Sequence, residues 1–381
     1  MIGLMGKNLV VCCDGTENRV TVNENSNVVH LYCCLKKDSS QITYYNPGVG
    51  TMVPEWVTHE DGKDSYLFKD KIGGISVKRN VMDAYIFLMD HYEDGDMVYL
   101  FGFSRGAYTV RMLSGLIEMY GLLYKGNQNH LNHLIHLYSR EKQKFEIARK
   151  LKSNFSRDIK IRFMGIWDTV ISVGSKFKIN ISFPFSRRLS GVQTVRHAVA
   201  IDERRKHFKY SEVNPNHNDL LEVFFAGVHS DVGGGYPKEG LSKIALEWML
   251  GEASKHGLVL EKGKVDRYLY GIKSGYQMPD YTIQIHNPFK EDYRNIFSQI
   301  IPIRKGRFKT EGESGRLNLF KYWELSIVPK PRAISDGANL HESVIAKIKH
   351  KTADHNYQPE NLDLENLGKY NFVKRGEIVY R

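Results

Sequence analysis

The first 250 residues alternate between uninterrupted apolar runs and segments with helical spacing. Strands are predicted at 9–13, 41–46, 97–103, 160–166 and 221–228 because these runs are rich in apolar residues and lack strict alternation. Helices are predicted at 27–35, 77–91, 105–119 and 132–152. Apolar residues have helical spacing at 77–91, and the last of these helices is polar with many charges. Strands of this kind, separated by helices, indicate an α/β fold whose mostly parallel sheet is covered by helices on both faces.

The pattern changes after about residue 254, where regular spacing gives way to aromatic and basic loops with short helices. No internal repeat and no linker composition divides the chain. We therefore expect a single domain over residues 1–381, with a core at about 7–260 and a C-terminal extension or cap at about 261–381.

Composition restricts the class of protein. The 381 residues are 41% apolar and 25% charged, which is typical of a globular chain and excludes a mostly disordered one. No apolar run approaches the roughly 20 residues of a transmembrane helix. The first residues lead directly into a strand, so we expect no cleavable signal peptide and synthesis as a soluble cytoplasmic protein.

The charge favours an anionic partner, since the formal net charge is +11. Candidates are an anionic lipid surface, a phosphorylated substrate or nucleic acid. The basic residues form no arginine-rich helix and no zinc-finger spacing, so nucleic acid is not expected. The four cysteines form two adjacent pairs, at 12–13 and 33–34, without a Cys-x-x-Cys motif, which predicts buried free thiols.

The strongest chemical signal is the pentapeptide Gly-x-Ser-x-Gly at 102–106. An apolar strand leads into Gly102 and a helix-compatible run begins at Arg105, which is the context of a nucleophile elbow. There the serine, Ser104, occupies a strained turn, and the glycines Gly102 and Gly106 let strand and helix approach closely. The alternative is a glycine-rich turn whose serine has no chemical role.

A nucleophilic serine needs a histidine base and an orienting carboxylate, and later strands end in both. Asp168 follows the fourth predicted strand, 64 residues after Ser104, and His229 follows the fifth, 61 residues further on. The carboxyl ends of parallel strands meet at one sheet edge, so the sequence predicts the triad Ser104, Asp168 and His229. Taken singly, Asp168 could be a helix N-cap and His229 a structural or metal-binding residue.

Several further residues are predicted to support this site. The amide of Arg105 and that of Gly15 or Thr16, after the first strand, are the predicted oxyanion-hole donors. Asp14 is either a supporting residue or a simple turn carboxylate. Asp231 forms a His-x-Asp pair with His229, but no third metal ligand is evident, so we interpret it as a residue that fixes its loop. His197, in a charged stretch expected near the site, is the reserve candidate for the base.

A series of motifs in this order resembles a known family. They are Cys-Asp-Gly-Thr (13–16), Asn-Pro-Gly-Val-Gly-Thr (46–51), Gly-Phe-Ser-Arg-Gly-Ala-Tyr (102–108), Gly-Ile-Trp-Asp-Thr-Val (165–170), Arg-His-Ala (196–198), Asp-Glu-Arg-Arg (202–205) and Gly-Val-His-Ser-Asp-Val-Gly-Gly-Gly-Tyr (227–236). The chain resembles the α/β-hydrolase catalytic domain of the first family of type VI secretion lipase effectors. The resemblance is strong over about 7–260 and continues weakly through 340–344 and 357–362.

The resemblance implies a serine hydrolase of the phospholipase A type, with the triad carried by Ser104, Asp168 and His229 and with no metal or organic cofactor. It also implies a phospholipid substrate, and it makes an immunity or delivery protein a candidate partner. Such a protein would be peripheral to a membrane or delivered to a target cell. The alternatives are an esterase or thioesterase acting on another acyl donor, and a catalytically degenerate module that binds an anionic ligand or nucleic acid.

One segment could bring a basic protein to a lipid surface. Residues 176–188 carry four positive charges, no acid and alternating large apolar residues, and they follow Asp168 closely. Cations near an anionic surface contribute ~1 kcal/mol each, while aromatic residues can insert or line an acyl groove. An ordinary edge strand or packed loop is the alternative interpretation. The predicted contact residues are Lys176, Phe177, Phe183, Phe185, Arg187 and Arg188.

We expect replacement of Lys176, Lys178, Arg187 and Arg188 by glutamine to weaken binding to anionic liposomes, because it removes the charges that face the headgroups. Hydrolysis of a short soluble ester should be spared. Liposome co-sedimentation and an ester assay measure the two effects. Equal loss of both would mean that the segment supports the fold, and unchanged liposome binding would rule out docking through it.

Overall fold

The computed structural model describes residues 6–15, 21, 24–48, 65–138, 145–170, 186–205, 208, 210–288, 331–352 and 356–381, with the backbone alone for 65–76. Within these ranges, eight parallel strands form the central sheet. The strands of this sheet are β1 (Asn8–Cys13), β2 (Gln41–Asn46), β3 (Met97–Phe103), β6 (Ile161–Trp167), β7 (Val192–Ala200), β8 (Leu220–Phe225), β9 (Asn339–His341) and β10 (Asn371–Val373). A separate antiparallel pair joins β4 (Leu122–Leu123) to β5 (Ser156–Arg157).

Helices connect these strands and cover both faces of the sheet. They are α1 (Asn27–Cys34), α2 (Ser65–His91), α3 (Arg105–Tyr120), α4 (Leu131–Tyr138), α5 (Phe145–Phe155), α6 (His229–Gly233), α7 (Gly240–Lys255), α8 (Lys262–Tyr268) and α9 (Glu342–Lys349). The predicted α/β class, with helices on both faces of a parallel sheet, is confirmed.

Three predicted elements differ from the structure. The helix predicted at 77–91 begins earlier, since α2 spans Ser65–His91. The helix predicted at 132–152 is two helices, α4 and α5, and the residues between them lie outside the described ranges. The strand predicted at 221–228 ends at Phe225, because Gly227, at φ 117°, turns the chain into α6. The sequence also gave no prediction for β7, whose polar residues interrupt the apolar pattern.

The strand order places a topological switch point between β1 and β3. In the sheet the strands follow the order β2-β1-β3-β6-β7-β8-β9-β10. From β1 the chain moves outward to β2 and then returns to the opposite side of β1 to form β3. At such a topological switch point the two connections leave in opposite directions, and ligands bind beyond the carboxyl ends of the strands. Ser104 directly follows β3 and therefore lies at this switch point.

Two apolar layers hold the helices on the sheet. Leu9, Val11 and Cys13 of β1 face the layer that includes α2 and α3, while Val10 and Cys12 face the layer that includes α1 and α7. Successive side chains of a strand point to opposite faces, so a strand buried on both sides must be apolar throughout. The cysteines Cys12, Cys13 and Cys34 are buried and Cys33 is partly buried, all as free thiols.

The C-terminal residues extend the same sheet. β9 pairs with β8, and β10 pairs with β9. Leu340 and Val344 pack with Val199 and Phe224 in a third apolar cluster. The segment 331–381 therefore shares its backbone pairing and its core with the strands that precede it. None of the described helices is long and apolar enough to span a bilayer.

The contact between α3 and β1 gives a test of this packing. A Cβ on Gly106 would lie 2.1 Å from the Cys13 carbonyl oxygen and 2.4 Å from that of Asp14, whereas a Cβ on Gly263 in α8 would have no described atom within 4 Å. We expect Gly106→Ala to lower the free energy of unfolding by roughly 1–3 kcal/mol, since the backbone must shift. Gly263→Ala should be neutral or stabilise by up to about 1 kcal/mol. Chemical denaturation measures both, and equal effects would contradict the close approach.

Candidate active site

Ser104 lies in the tight turn between β3 and α3. Its backbone has φ 57° and ψ −121°, which is a strained conformation for a residue with a side chain. The glycines on either side are required by space, because a Cβ on Gly102 would lie 2.6 Å from the Gly106 carbonyl oxygen. A hydrogen bond from the Ser104 amide to the Trp167 carbonyl, 3.0 Å long, ties the turn to the end of β6.

Asp168 follows β6 directly and is also at positive φ, 37°. Its amide donates to the Ala198 carbonyl at 2.7 Å, and its Oδ1 accepts from the Ala200 amide at 3.0 Å. Its Oδ2 lies 2.6 Å from Nδ1 of His229. The pairing between β6 and β7 therefore holds the carboxylate in a fixed orientation toward the histidine.

His229 is the first residue of α6, the short helix after β8. Its ring centroid lies 4.6 Å from that of Phe103 and 4.9 Å from that of Phe208. Its amide donates to Oε2 of Glu203 at 3.2 Å. Since Phe103 immediately precedes the serine, the ring contact places the imidazole beside the nucleophile turn.

The structure thus brings together the three residues predicted as the triad, from the ends of β3, β6 and β8. All are buried, with 7% of Ser104, 4% of His229 and none of Asp168 exposed. The contact of His229 Nδ1 with Asp168 leaves Nε2 as the ring nitrogen that can accept a proton. This arrangement has the parts required for acyl transfer through a serine.

Charge and burial determine the protonation of the pair. Burial by itself would raise the pKa of Asp168, but the Arg332 charge and the hydrogen bond with His229 outweigh it and hold that pKa well below its usual range. Burial lowers the pKa of His229 below 6.5, and the hydrogen bond with Asp168 opposes this effect only in part. At neutral pH the pair is therefore a carboxylate beside a neutral imidazole, which is the state that a general base needs.

The predicted oxyanion donors lie at the start of α3 and at the end of β1. Arg105 is the first residue of α3, and the first amides of a helix carry partial positive charge along its axis. The Gly15 amide donates to Oδ1 of Asp14 at 2.7 Å, so in this conformation it is engaged by its neighbour. Thr16 lies outside the described residues.

Asp14 and Asp231 fix the loops around the site. Asp14 Oδ2 accepts from the Ser26 hydroxyl at 2.7 Å and from the Tyr45 hydroxyl at 2.9 Å, which links β1, α1 and β2. Asp231 Oδ1 contacts Nδ1 of His286 at 2.5 Å, and its Oδ2 accepts from the Val228 amide at 3.0 Å. Both carboxylates therefore hold neighbouring segments together through these hydrogen bonds.

His197, the reserve candidate for the base, is engaged elsewhere. Its Nε2 accepts from the Thr169 amide at 3.2 Å, and its Nδ1 lies 2.8 Å from Glu222. The ring is fully buried, so both nitrogens are occupied within the protein. His197 therefore holds the segment that follows Asp168 and does not face the serine.

Three contacts at the site were not predicted from the sequence. Arg332 contacts Asp168, His286 contacts Asp231, and Glu203 accepts from the His229 amide. Arg332 and His286 come from the region without regular spacing, where no local motif marks them.

Among the predicted membrane contacts, Arg187 and Arg188 are exposed. The others, Lys176, Phe177, Phe183 and Phe185, lie outside the described residues. The described residues contain no cluster of three or more side chains suited to a metal ion.

A parallel sheet with a strained serine turn at its switch point and a histidine–aspartate pair just after two later strands is the arrangement of the α/β-hydrolase fold. Comparison with known families agrees with this class. The sequence model described as "T6SS, Phospholipase effector Tle1-like, catalytic domain" matches residues 7–252. The chain belongs to this family of type VI secretion phospholipase effectors.

Individual relatives are between 18% and 37% identical to the chain over the matched residues. An uncharacterized protein of Saccharomyces cerevisiae, YEL023C, is 37% identical over 223 residues, which cover 54% of this chain and 32% of that protein. A crystal structure of an uncharacterized protein from Pseudomonas aeruginosa is 19% identical, with a TM-score of 0.44, and covers 72% of this chain and 49% of the other. The Tle1 effector bound to the VgrG spike is 18% identical, with a TM-score of 0.36, and covers 61% and 51%. The chain thus spans about a third of the yeast relative and about half of each structure.

The environment of His229 predicts how its ring titrates. A pKa lowered by burial means that the imidazole stays neutral above that pKa and takes up its proton only below pH 6.5. We expect nitrogen-detected NMR to place the titration midpoint of the His229 ring below 6.5. The signal is assigned by its loss in His229→Gln. A midpoint above 6.5 would show that the Asp168 charge outweighs burial.

Proposed function

We propose that this protein is a serine hydrolase that cleaves acyl esters of phospholipids, a phospholipase of the A type. The observation that carries the proposal is the 2.6 Å contact between Asp168 and His229. It is supported by the contact of the His229 ring with Phe103, the residue before the strained Ser104 turn. Family membership supplies the substrate class. The residue roles rest on this geometry.

In the first half of the reaction, Ser104 Oγ attacks the carbonyl carbon of the ester and gives its proton to Nε2 of His229. Nδ1–H of the same ring donates to Asp168, whose carboxylate stabilises the imidazolium that forms. The carbonyl oxygen becomes an oxyanion facing the amide end of α3, where Arg105 is the proposed donor. Collapse of this intermediate expels the alcohol, which takes the proton from His229, and leaves an acyl-enzyme.

In the second half, water takes the place of the alcohol. His229 accepts a proton from the water as it attacks the acyl carbon, and then returns that proton to Ser104 as the acid leaves. The products are a fatty acid and a lysophospholipid. These steps use side chains and amides of the chain itself.

An anionic membrane surface and an immunity or delivery protein are part of the proposal as partners. The net charge of +11 and the exposed Arg187 and Arg188 support the lipid surface. A delivery partner is in keeping with the family, whose name ties it to type VI secretion. Esters and thioesters of other acyl groups are cleaved by the same triad chemistry. The products formed therefore identify the acyl donor.

We expect Ser104→Ala, His229→Ala and Asp168→Asn each to reduce turnover of a short soluble ester by at least ~10³-fold, because the three groups act as a unit. Double variants should lose little more than single ones. A fluorophosphonate probe should label the wild type at Ser104 and leave Ser104→Ala unlabelled. Asp219→Asn is the matched carboxylate control, since Asp219 pairs with Arg196 and with none of the three residues.

The substrate class is tested by lipid analysis of cells that express the wild type beside Ser104→Ala. Lysophospholipids and free fatty acids should accumulate with the wild type alone. Diacylglycerol or phosphatidic acid in their place would contradict the A-type assignment. Labelling at Ser104 without any change in phospholipids would favour another ester, and absence of labelling would favour a degenerate binding module.

A further inference from the structure

The carboxylate of Asp168 is held by a residue outside the matched family region. Arg332 lies 164 positions further along the chain, in the segment that follows residue 330. Its Nη1 donates to Oδ1 of Asp168 at 2.5 Å and its Nη2 donates to Oδ2 at 3.0 Å. The pair is bidentate, with the Arg332 side chain 8% exposed and the Asp168 side chain fully buried.

Arg332 is itself fixed by backbone groups. Nη1 also donates to the Ala200 carbonyl at 2.9 Å, and Nη2 to the Phe208 carbonyl at 2.7 Å. The Asn361 amide group donates to the carbonyl of Arg332 at 3.0 Å and to that of Ile201 at 2.9 Å. The guanidinium is therefore held by the carbonyl at the end of β7 and by the Phe208 carbonyl, while Asn361 holds the backbone of Arg332, so the side chain cannot swing without breaking several hydrogen bonds.

This anchoring leaves Asp168 one orientation. Oδ1 accepts from the Ala200 amide and from Arg332, while Oδ2 accepts from Arg332 and contacts His229. Two parallel hydrogen bonds to a planar fork fix the plane of a carboxylate as well as its position. A fixed carboxylate plane in turn fixes the imidazole, which must present Nε2 to the serine.

The guanidinium also bears on the charge of the imidazole. Arg332 Nη2 and His229 Nδ1 share the same oxygen, so the positive charge lies close to the ring and opposes its protonation. The charged groups beside the ring are Asp168, Glu203 and Arg205, and Arg332 lies across the Asp168 carboxylate from it. On the helix of His229 itself, Asp231 bonds to the Val228 amide. Glu203 is paired with Arg205, and Asp231 with His286.

We propose that Arg332 is a positioning residue of the active site, which locks the Asp168 carboxylate toward His229, so that the segment 331–381 completes a site whose other parts lie within residues 7–252. The inference rests on the proposed serine hydrolase function. It adds a residue that acts through Asp168 and touches no reacting atom.

The experiment compares Arg332→Gln and Arg332→Lys in the full chain. We expect Arg332→Gln to lower kcat on a short soluble ester by on the order of 10-fold to 100-fold with KM little changed, because small misplacements of catalytic groups cost that much. Loss of a positive charge favours the imidazolium, so the acid limb of kcat/KM should move to higher pH. Arg332→Lys keeps the charge and loses the fork, so the limb should stay in place while kcat recovers in part.

Arg204→Gln is the matched control. It removes an ion pair with Glu360, 3.3 Å long, which also ties the C-terminal segment to the loop after β7 but does not contact the triad. We expect wild-type kcat and an unchanged acid limb. Each kcat is expressed per site titrated to completion with fluorophosphonate, and each melting temperature is measured, so that unfolded protein does not count as lost turnover.

The outcomes separate the two proposals. If the wild type is unlabelled and inactive, or if Ser104→Ala keeps its activity, the proposed function fails. If the wild type is active but Arg332→Gln keeps its kcat per titrated site and its acid limb, the inference about Arg332 is overturned and the residue serves stability alone. An equal fall in Arg204→Gln would likewise overturn it.

Discussion

The site depends on one buried negative charge. A carboxylate without exposure to water is costly unless donors surround it, and removal of one partner of such a group typically costs 3–5 kcal/mol. Asp168 meets this requirement with donors from Ala200, Arg332 and His229, which belong to segments far apart in the chain. Folding must bring all of them together before the charge can be buried, and the geometry that satisfies the charge is also the geometry that orients the base.

The parallel sheet makes this convergence possible. Trp167, at the end of β6, pairs in register with Ala198, and Ala200 pairs with Phe225 at the end of β8. The turns after these strands therefore emerge at the same level, where Asp168 can reach both the Ala200 amide and His229. On the other side, the close contact of Gly106 with the Cys13 carbonyl sets how near α3 and its serine come to β1.

The sequence predicted the parts of this arrangement that follow from local pattern. β2 and β3 were predicted with their observed bounds, since both are continuous runs with clear ends. The serine turn was predicted because its glycines are needed at fixed spacing. β7 escaped prediction because Arg196 and His197 are polar, and their burial is compensated by contacts with other segments, among them Glu252, Asp219 and Glu222.

Contacts between distant segments could not be predicted in the same way. β9 and β10 are three residues each, too short to produce a period of their own. Arg332 has no motif around it, and its role is visible only where Asp168 and the Phe208 carbonyl come together. Nothing in the spacing of one sequence reports a pairing over 164 positions.

The pairing of β9 with β8 has a consequence for how this protein can be divided. A fragment cut where the family match ends, at residue 252, would leave one side of β8 without its partner and would uncover the aromatic face of Phe224. A bare apolar edge is a template for strand addition by another copy. The stretch matched by sequence similarity therefore ends before β9 and β10, the two strands that complete the sheet of the described residues.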